Sequence, residues 1–163
     1  MLLKLSGALL LIAAGIFTGA SYAAQRRRII AQIEDLCAAL GYMRARIEML
    51  RTPLPDILAA LARREGPSAP LFQDTQRLLG DGLEAAMRQA CIQIEDGQAR
   101  QSMYGLSTAL GRYEADEELR QLDATVCELK ARAAQLSLEY QGKAPLVRRL
   151  TAAIGICLAI LLI

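Results

Sequence analysis

Residues 29–50 read IIAQIEDLCAALGYMRARIEML, and the spacing of their apolar side chains decides the fold. The intervals between these side chains alternate between four and three residues over three heptads. That alternation is typical of a helix that packs lengthwise on a partner helix. The stripe consists of Ile29, Ile33, Leu36, Leu40, Met43, Ile47 and Leu50. The segment therefore predicts one long helix whose apolar face is covered by another helix.

A matching stripe lies near the other end of the chain. Residues 119–140 show the same alternation, with intervals of three and four, over an equal span of 21 residues. This second stripe consists of Leu119, Leu122, Val126, Leu129, Ala133, Leu136 and Tyr140. If the two helices run antiparallel, each covers the stripe of the other along about 32 Å. We therefore expect Ile29 to lie near Tyr140, and Leu50 near Leu119.

Proline and glycine divide the chain between the two stripes into short helices. Thr52 followed by Pro53 predicts an N-cap and a first helical turn, and residues 81–84, Asp-Gly-Leu-Glu, have the spacing of a capping box. Asp96-Gly97 predicts the end of a helix. No segment alternates with a period of two for long enough to form a strand. The fold class is therefore all-α, an antiparallel bundle of two long helices capped by short ones in residues 54–64, 70–79, 83–95 and 98–110.

Both ends of the chain are apolar. Residues 5–24 carry no charge, and neither do residues 150–163. A spanning helix needs about 20 apolar residues. The first stretch is long enough, whereas the second requires a thinner bilayer or snorkelling of its flanking arginines. We therefore predict an N-terminal transmembrane helix in residues 1–25, a cytoplasmic helical bundle in residues 26–145 and a C-terminal transmembrane helix in residues 146–163.

Arginines border both apolar stretches on their inner side. Basic residues next to a membrane segment stay on the cytoplasmic side, so both flanks predict a cytoplasmic bundle with the termini across the bilayer. An alternative is a secretory signal peptide, because Lys4, the apolar run and residues 21–23 resemble its three regions. Three arginines directly after the cleavage point would hinder translocation of such a peptide. The topology arginines are Arg26, Arg27, Arg28, Arg148 and Arg149.

A small-residue pattern lies within the first apolar stretch. Gly15 and Gly19 form a G-x-x-x-G pattern, which lets a second helix approach closely in a membrane. That second helix would be the one that contains Gly155, or a helix of a neighbouring subunit.

The composition argues against catalysis and cofactor binding. The chain has no histidine and no C-x-x-C pair, so it lacks the usual zinc sites and a thiol protease site. Gly80-Asp81-Gly82 lacks the lysine and the serine or threonine of a phosphate-binding loop. The net charge is only +2, and arginines beside an apolar 20-mer contact lipid headgroups rather than nucleic acid. We predict no enzyme, no cofactor, no small-molecule substrate and no nucleic-acid partner.

A charged set at the membrane-distal end is the candidate partner surface. Acidic residues are favoured in a first helical turn by about 0.3–1 kcal/mol each through the helix dipole. A solvated helix start therefore explains the acidic cluster better than a divalent metal site does, and we predict no metal. The set consists of Arg63, Glu114, Asp116, Glu117 and Glu118.

Several short motifs occur in an order that a known family shares. They are Met1 to Leu5 opening an apolar helix, Ile47-Glu48 before Thr52-Pro53-Leu54, Leu71-Phe72, Glu84-Ala85-Ala86 with Ala90, Leu110-Gly111 ahead of an acidic helix, and Arg148 before a short apolar helix. In these motifs and over nearly its whole length, the chain resembles the stage III sporulation protein AB family.

The resemblance implies a structural, non-enzymatic subunit of the secretion-like channel that mother cell and forespore build during endospore formation. Such a protein would be a multi-pass protein of the mother-cell membrane around the forespore, with membrane lipid and other channel subunits as partners. The soluble domain of the family is similar to the cytoplasmic domains of platform protein F of type II secretion, which by analogy implies docking of a cytoplasmic ATPase. The alternative is a membrane-anchored regulatory or ligand-sensing helical protein unrelated to sporulation, which needs a pocket with converging polar groups.

Overall fold

Helices make up nearly all of the chain. The structure, a computed structural model, describes the backbone of residues 2–111 and 115–162 and the side chains of residues 20, 21, 23–111 and 116–140. Short 3-10 turns lie at Leu79–Asp81 and Cys91–Gln93, and these described ranges contain no strand, so the predicted all-α class is confirmed. The helices are α1 (Leu2–Leu50), α2 (Leu54–Ala62), α3 (Ala69–Arg77), α4 (Leu83–Ala90), α5 (Gly97–Ala109) and α6 (Ala115–Leu162).

The chain divides into two compact units. We call residues 1–28 with 136–163 the terminal unit, and residues 29–135 the central unit. The predicted domain boundaries after residues 25 and 145 stay a prediction. Among the residues that the structure describes, no helix is long and apolar enough to cross a bilayer. Most of the two predicted transmembrane helices lies outside the described side chains, as do Gly15, Gly19, Gly155, Arg148 and Arg149.

The long helices run antiparallel in the central unit. Lys130 is close enough to Cys37 to act on its thiol, and Arg44 Nε lies 2.7 Å from Asp123 Oδ1. A step of seven residues forward along α1 therefore corresponds to a step of seven residues back along α6. The expected register places Asp123 opposite Arg46, whereas Asp123 pairs with Arg44, two residues earlier on α1.

The apolar stripes of α1 and α6 contribute to the core of the central unit. Ile29, Leu119 and Val126 are only half-buried. Thr125 is buried in place of Val126, and its hydroxyl donates to the Gln121 carbonyl at 2.8 Å. The buried face of α6 is therefore turned slightly from its expected position. Within the central unit, the buried members of the two stripes are Ile33, Leu36, Leu40, Met43, Ile47, Leu122, Leu129 and Ala133.

Leu50 does not join this core, contrary to the expected pairing with Leu119. It is 61% exposed, and its neighbour Met49 is 79% exposed. The reason is that α1 ends here: Arg51 has φ +44°, and its N–H donates to the Ile47 carbonyl at 3.2 Å. This left-handed helix closure is usually made by glycine.

The starts of the short helices depart from the expected capping. No side chain caps α2, because α2 begins at Leu54 and Pro53, which has no side-chain acceptor, occupies the N-cap position expected for Thr52. Gly82, at φ +101°, occupies the position before α4, and Asp81 ends the preceding 3-10 turn, so the capping box does not form. Asp96 begins α5 rather than ending a helix, since its Oδ1 accepts the Ala99 N–H at 2.9 Å.

The helical cap, which comprises α2 to α5, has an apolar interior of its own. α3 packs on both α2 and α4. Burying a large apolar side chain contributes about 1.5–3 kcal/mol, so this interior stabilises the packing of these helices. Its largest fully buried side chains are Ile57, Leu58, Leu61, Leu71, Phe72, Met87, Ile94 and Met103.

Candidate functional site

Asp35 on α1 holds the turn between α2 and α3. Its Oδ2 accepts hydrogen bonds from the Ser68 N–H at 2.9 Å and from the Ser68 hydroxyl at 2.6 Å, while Oδ1 lies 3.4 Å from Arg64 Nη2. A Cβ at Gly66 would overlap this carboxylate, with the Asp35 Cγ only 3.0 Å away. We call Asp35, Arg64, Gly66 and Ser68 the first clamp, because they fix the helical cap to α1.

Gln32 extends this attachment three residues earlier on α1. Its Nε2 donates to the Gln93 carbonyl at 3.3 Å, and its Oε1 accepts the Glu95 N–H at 3.4 Å. The Gln93 amide also hydrogen-bonds the Asp74 carboxylate. The polar face of α1 therefore binds main-chain groups of the segment before α5.

A buried ion pair attaches the start of α5 to α6, and we call it the second clamp. Arg132 Nη2 donates to Asp96 Oδ2 at 2.7 Å, and its Nε lies 3.1 Å from both carboxylate oxygens. The side chains are 8% and 21% exposed for Asp96 and Arg132. Burial alone would raise the pKa of Asp96, but the hydrogen bonds from Arg132 and from the Ala99 N–H together lower it below its ordinary value. The carboxylate is therefore ionised at neutral pH.

An open groove of about 840 Å³ runs along α5 and α6. Its charged side chains already have partners within the central unit. Arg132 binds Asp96, Glu128 accepts a hydrogen bond from the Ser102 hydroxyl at 2.6 Å, and Arg88 Nη1 lies 3.7 Å from Glu84 Oε1. The groove therefore does not offer the free, converging charges that a ligand sensor would use.

The charged residues predicted to meet a partner have different surroundings. Arg63 and Asp116 are exposed, whereas Glu118 Oε1 accepts the Gly111 N–H at 2.6 Å and so closes the connection after α5. Glu117 lies 3.6 Å from Arg120. The remaining member of the predicted set, Glu114, lies outside the described residues.

Basic and aromatic side chains meet in the terminal unit. The Arg27 guanidinium lies over the Tyr140 ring, 5.9 Å from its centre. Arg27 and Arg28 are exposed, and Arg26 is half-buried. Leu136 is buried, whereas Leu138 is 69% exposed. The exposed arginines of α1 thus form a basic surface, and Tyr140 of α6 lies against Arg27.

The thiols of the central unit differ in accessibility and reactivity. Burial raises the pKa of the Cys91 thiol to about 12 despite the opposing effect of Arg100, and burial also raises that of Cys37. A thiol that stays protonated is a poor nucleophile. Cys127 is exposed. No group of three metal-binding side chains occurs among the residues that the structure describes.

Comparison with known proteins identifies the family. The family model for stage III sporulation protein AB matches residues 4–163. The chain belongs to this family. Neither the curated proteins nor the solved structures include a match to the chain. Membership confirms the resemblance to this family and implies a role in sporulation.

The sequence does not predict the two clamps. Gln32 and Asp35, three residues apart beside the apolar stripe of α1, are a polar pair that could have indicated an attachment point. Asp96 three residues before Ala99 has the spacing of an N-cap contact. Nothing in the sequence pattern indicates Arg132, which is 36 residues away from Asp96.

Proposed function

We propose that the protein is a structural, non-enzymatic membrane subunit of the channel that mother cell and forespore build during endospore formation. The observation that carries this proposal is the family match over residues 4–163. The uncharged stretches at residues 5–24 and 150–163, each with arginines on its inner side, support insertion into the mother-cell membrane with the central unit in the cytoplasm.

In this role the helical cap is the part that meets other subunits. Two clamps attach the helical cap to both long helices. A subunit that binds the cap is thereby linked to α1 and α6. By analogy with the platform proteins of type II secretion, the partners are other channel subunits and a cytoplasmic ATPase. The exposed side chains of Arg63 and Asp116 support a polar, reversible interface.

Gene replacement tests the proposed function in the spore-forming host of this chain. Deletion should arrest forespore development, measured as late forespore reporter expression and heat-resistant spores, and the full chain supplied in trans should restore both. Normal sporulation without the gene would refute the assignment.

Site-directed crosslinking tests the partner surface. A photo-crosslinking residue replacing Arg63 or Glu117 should capture a channel subunit or the ATPase in sporulating cells. The matched control is Lys130, which is exposed on α6 and outside the proposed surface. Equal capture of the same protein from all three positions would contradict the proposed surface.

A further inference from the structure

The terminal unit carries an arginine whose side chain is held in a defined orientation. The Arg27 guanidinium lies over the face of the Tyr140 ring at 5.9 Å from its centre. A guanidinium that stacks on a ring keeps its N–H donors, which lie at its edge, free for other contacts. Arg27 is itself exposed. Tyr140 therefore orients Arg27 without occupying its hydrogen-bonding groups.

The surroundings of Arg27 are suited to an anion. Arg28 is exposed, and its side chain has no hydrogen bond or ion pair with another described residue. In residues 20–28 and 136–140 the only acidic residue is Glu139, against three consecutive arginines. The planar fork of arginine matches the oxygens of a phosphate group, and the exposed Arg28 directly follows Arg27 in α1.

We propose that Arg27 and Arg28, with Tyr140 as a positioning residue for Arg27, bind the phosphate of an anionic phospholipid. This inference rests on the proposed membrane insertion. Charge complementarity between the exposed arginines and an anionic headgroup supports the lipid as the occupant. The uncharged stretch of residues 5–24 directly precedes the arginines, which places them at headgroup depth.

The experiment measures lipid preference with the full chain in phosphatidylcholine bilayers. Spin-labelled phosphatidylglycerol and spin-labelled phosphatidylcholine are compared by the fraction of each that the protein immobilises. An arginine near an anionic surface shifts binding by about fivefold. We expect the wild-type chain to prefer phosphatidylglycerol, and Arg27→Gln or Arg28→Gln to lower that preference by up to about fivefold. Lys130→Gln, a charge change in the central unit, should leave the preference unchanged.

Two further variants test the role of the tyrosine. Tyr140→Leu should lower the preference for phosphatidylglycerol about as much as Arg27→Gln does. Tyr140→Phe should keep the wild-type preference, because phenylalanine retains the aromatic ring. A wild-type preference in Tyr140→Leu, or an equal loss in Tyr140→Phe and Tyr140→Leu, would overturn the positioning role. An equal loss in Lys130→Gln would mean that the preference reflects net charge alone and would overturn the site.

Alkaline carbonate extraction separates this inference from the proposed function. If the chain resists extraction but shows no preference for phosphatidylglycerol, the lipid site is refuted and the proposed membrane insertion is not. A chain that is extracted refutes membrane insertion, and the lipid site with it.

Discussion

Replacing Gly66 with alanine should destabilise the helical cap, even though the main chain at Gly66 is outside the left-handed region. At such a position Gly→Ala normally stabilises a protein by about 0.4–1 kcal/mol through the unfolded chain. Here the new Cβ would overlap the Asp35 carboxylate. Asp35 would have to turn away and give up its two hydrogen bonds from Ser68.

The magnitude follows from those two bonds. A hydrogen bond to a charged group contributes about 1.5–3 kcal/mol, and the Asp35 side chain is 18% exposed, which favours the lower end of that range. Gly→Ala also lowers the conformational entropy of the unfolded chain, which offsets part of this loss. The net effect of Gly66→Ala should be a free energy of unfolding lower by about 1–3 kcal/mol.

Urea unfolding of the full chain in detergent, followed by circular dichroism, measures this change. In an Asp35→Ala background the clash is absent, so Gly66→Ala should be neutral or stabilising there. The matched control is Gly41→Ala in α1, where a Cβ would meet nothing within 4 Å; it should stabilise the chain by about 0.5–1 kcal/mol. If Gly66→Ala costs nothing, or costs the same without the Asp35 carboxylate, the reasoning is refuted.

Three further predictions concern other features of the central unit. Arg51→Val should lower the free energy of unfolding by about 1–2 kcal/mol, because a β-branched residue is strained at φ +44°, whereas Arg51→Gly should be at least as stable as the wild type; an equal loss in both variants would contradict the helix closure. Asp96→Asn should destabilise the chain by about 1–3 kcal/mol at pH 7. Because the pKa of Asp96 is lowered by folding, its stabilising effect is present above the unfolded pKa of about 3.9. The difference from the wild type should shrink as the pH falls below about 4 in the same unfolding assay, and a constant difference would exclude the ion pair as its cause. In native protein, maleimide should label Cys127 rapidly and Cys91 only after unfolding, as peptide mass analysis would show; rapid native labelling of Cys91 would contradict its burial.

The sequence predicted the long helices well because their stabilising pattern is local and periodic. Ile33, Leu36, Leu40 and Met43 repeat at helical spacing and are all fully buried. The pattern could not give the register to the residue, because a shift of two positions along both stripes still pairs apolar with apolar side chains. Ion pairs such as Arg44 with Asp123 report the observed register.

Helix starts and clamps were harder to predict, since they depend on partners distant in the chain. Gly66 lies between the predicted helices of residues 54–64 and 70–79. The need for glycine at this position comes from the carboxylate of Asp35, 31 residues earlier. Asp96 was expected to end a helix and instead starts α5 while binding Arg132. Both residue types correctly indicated a turn, but the role of each residue in that turn depends on its tertiary contacts.

The clamps grip main-chain atoms as well as side chains. Asp35 accepts the N–H of Ser68, Gln32 binds the main chain of Gln93 and Glu95, and Asp96 accepts the N–H of Ala99. Amide groups persist when the residue that bears them is exchanged. The outward-facing residues of α2 to α5 can therefore change during evolution as a binding partner diverges, while the attachment of these helices to α1 and α6 is preserved.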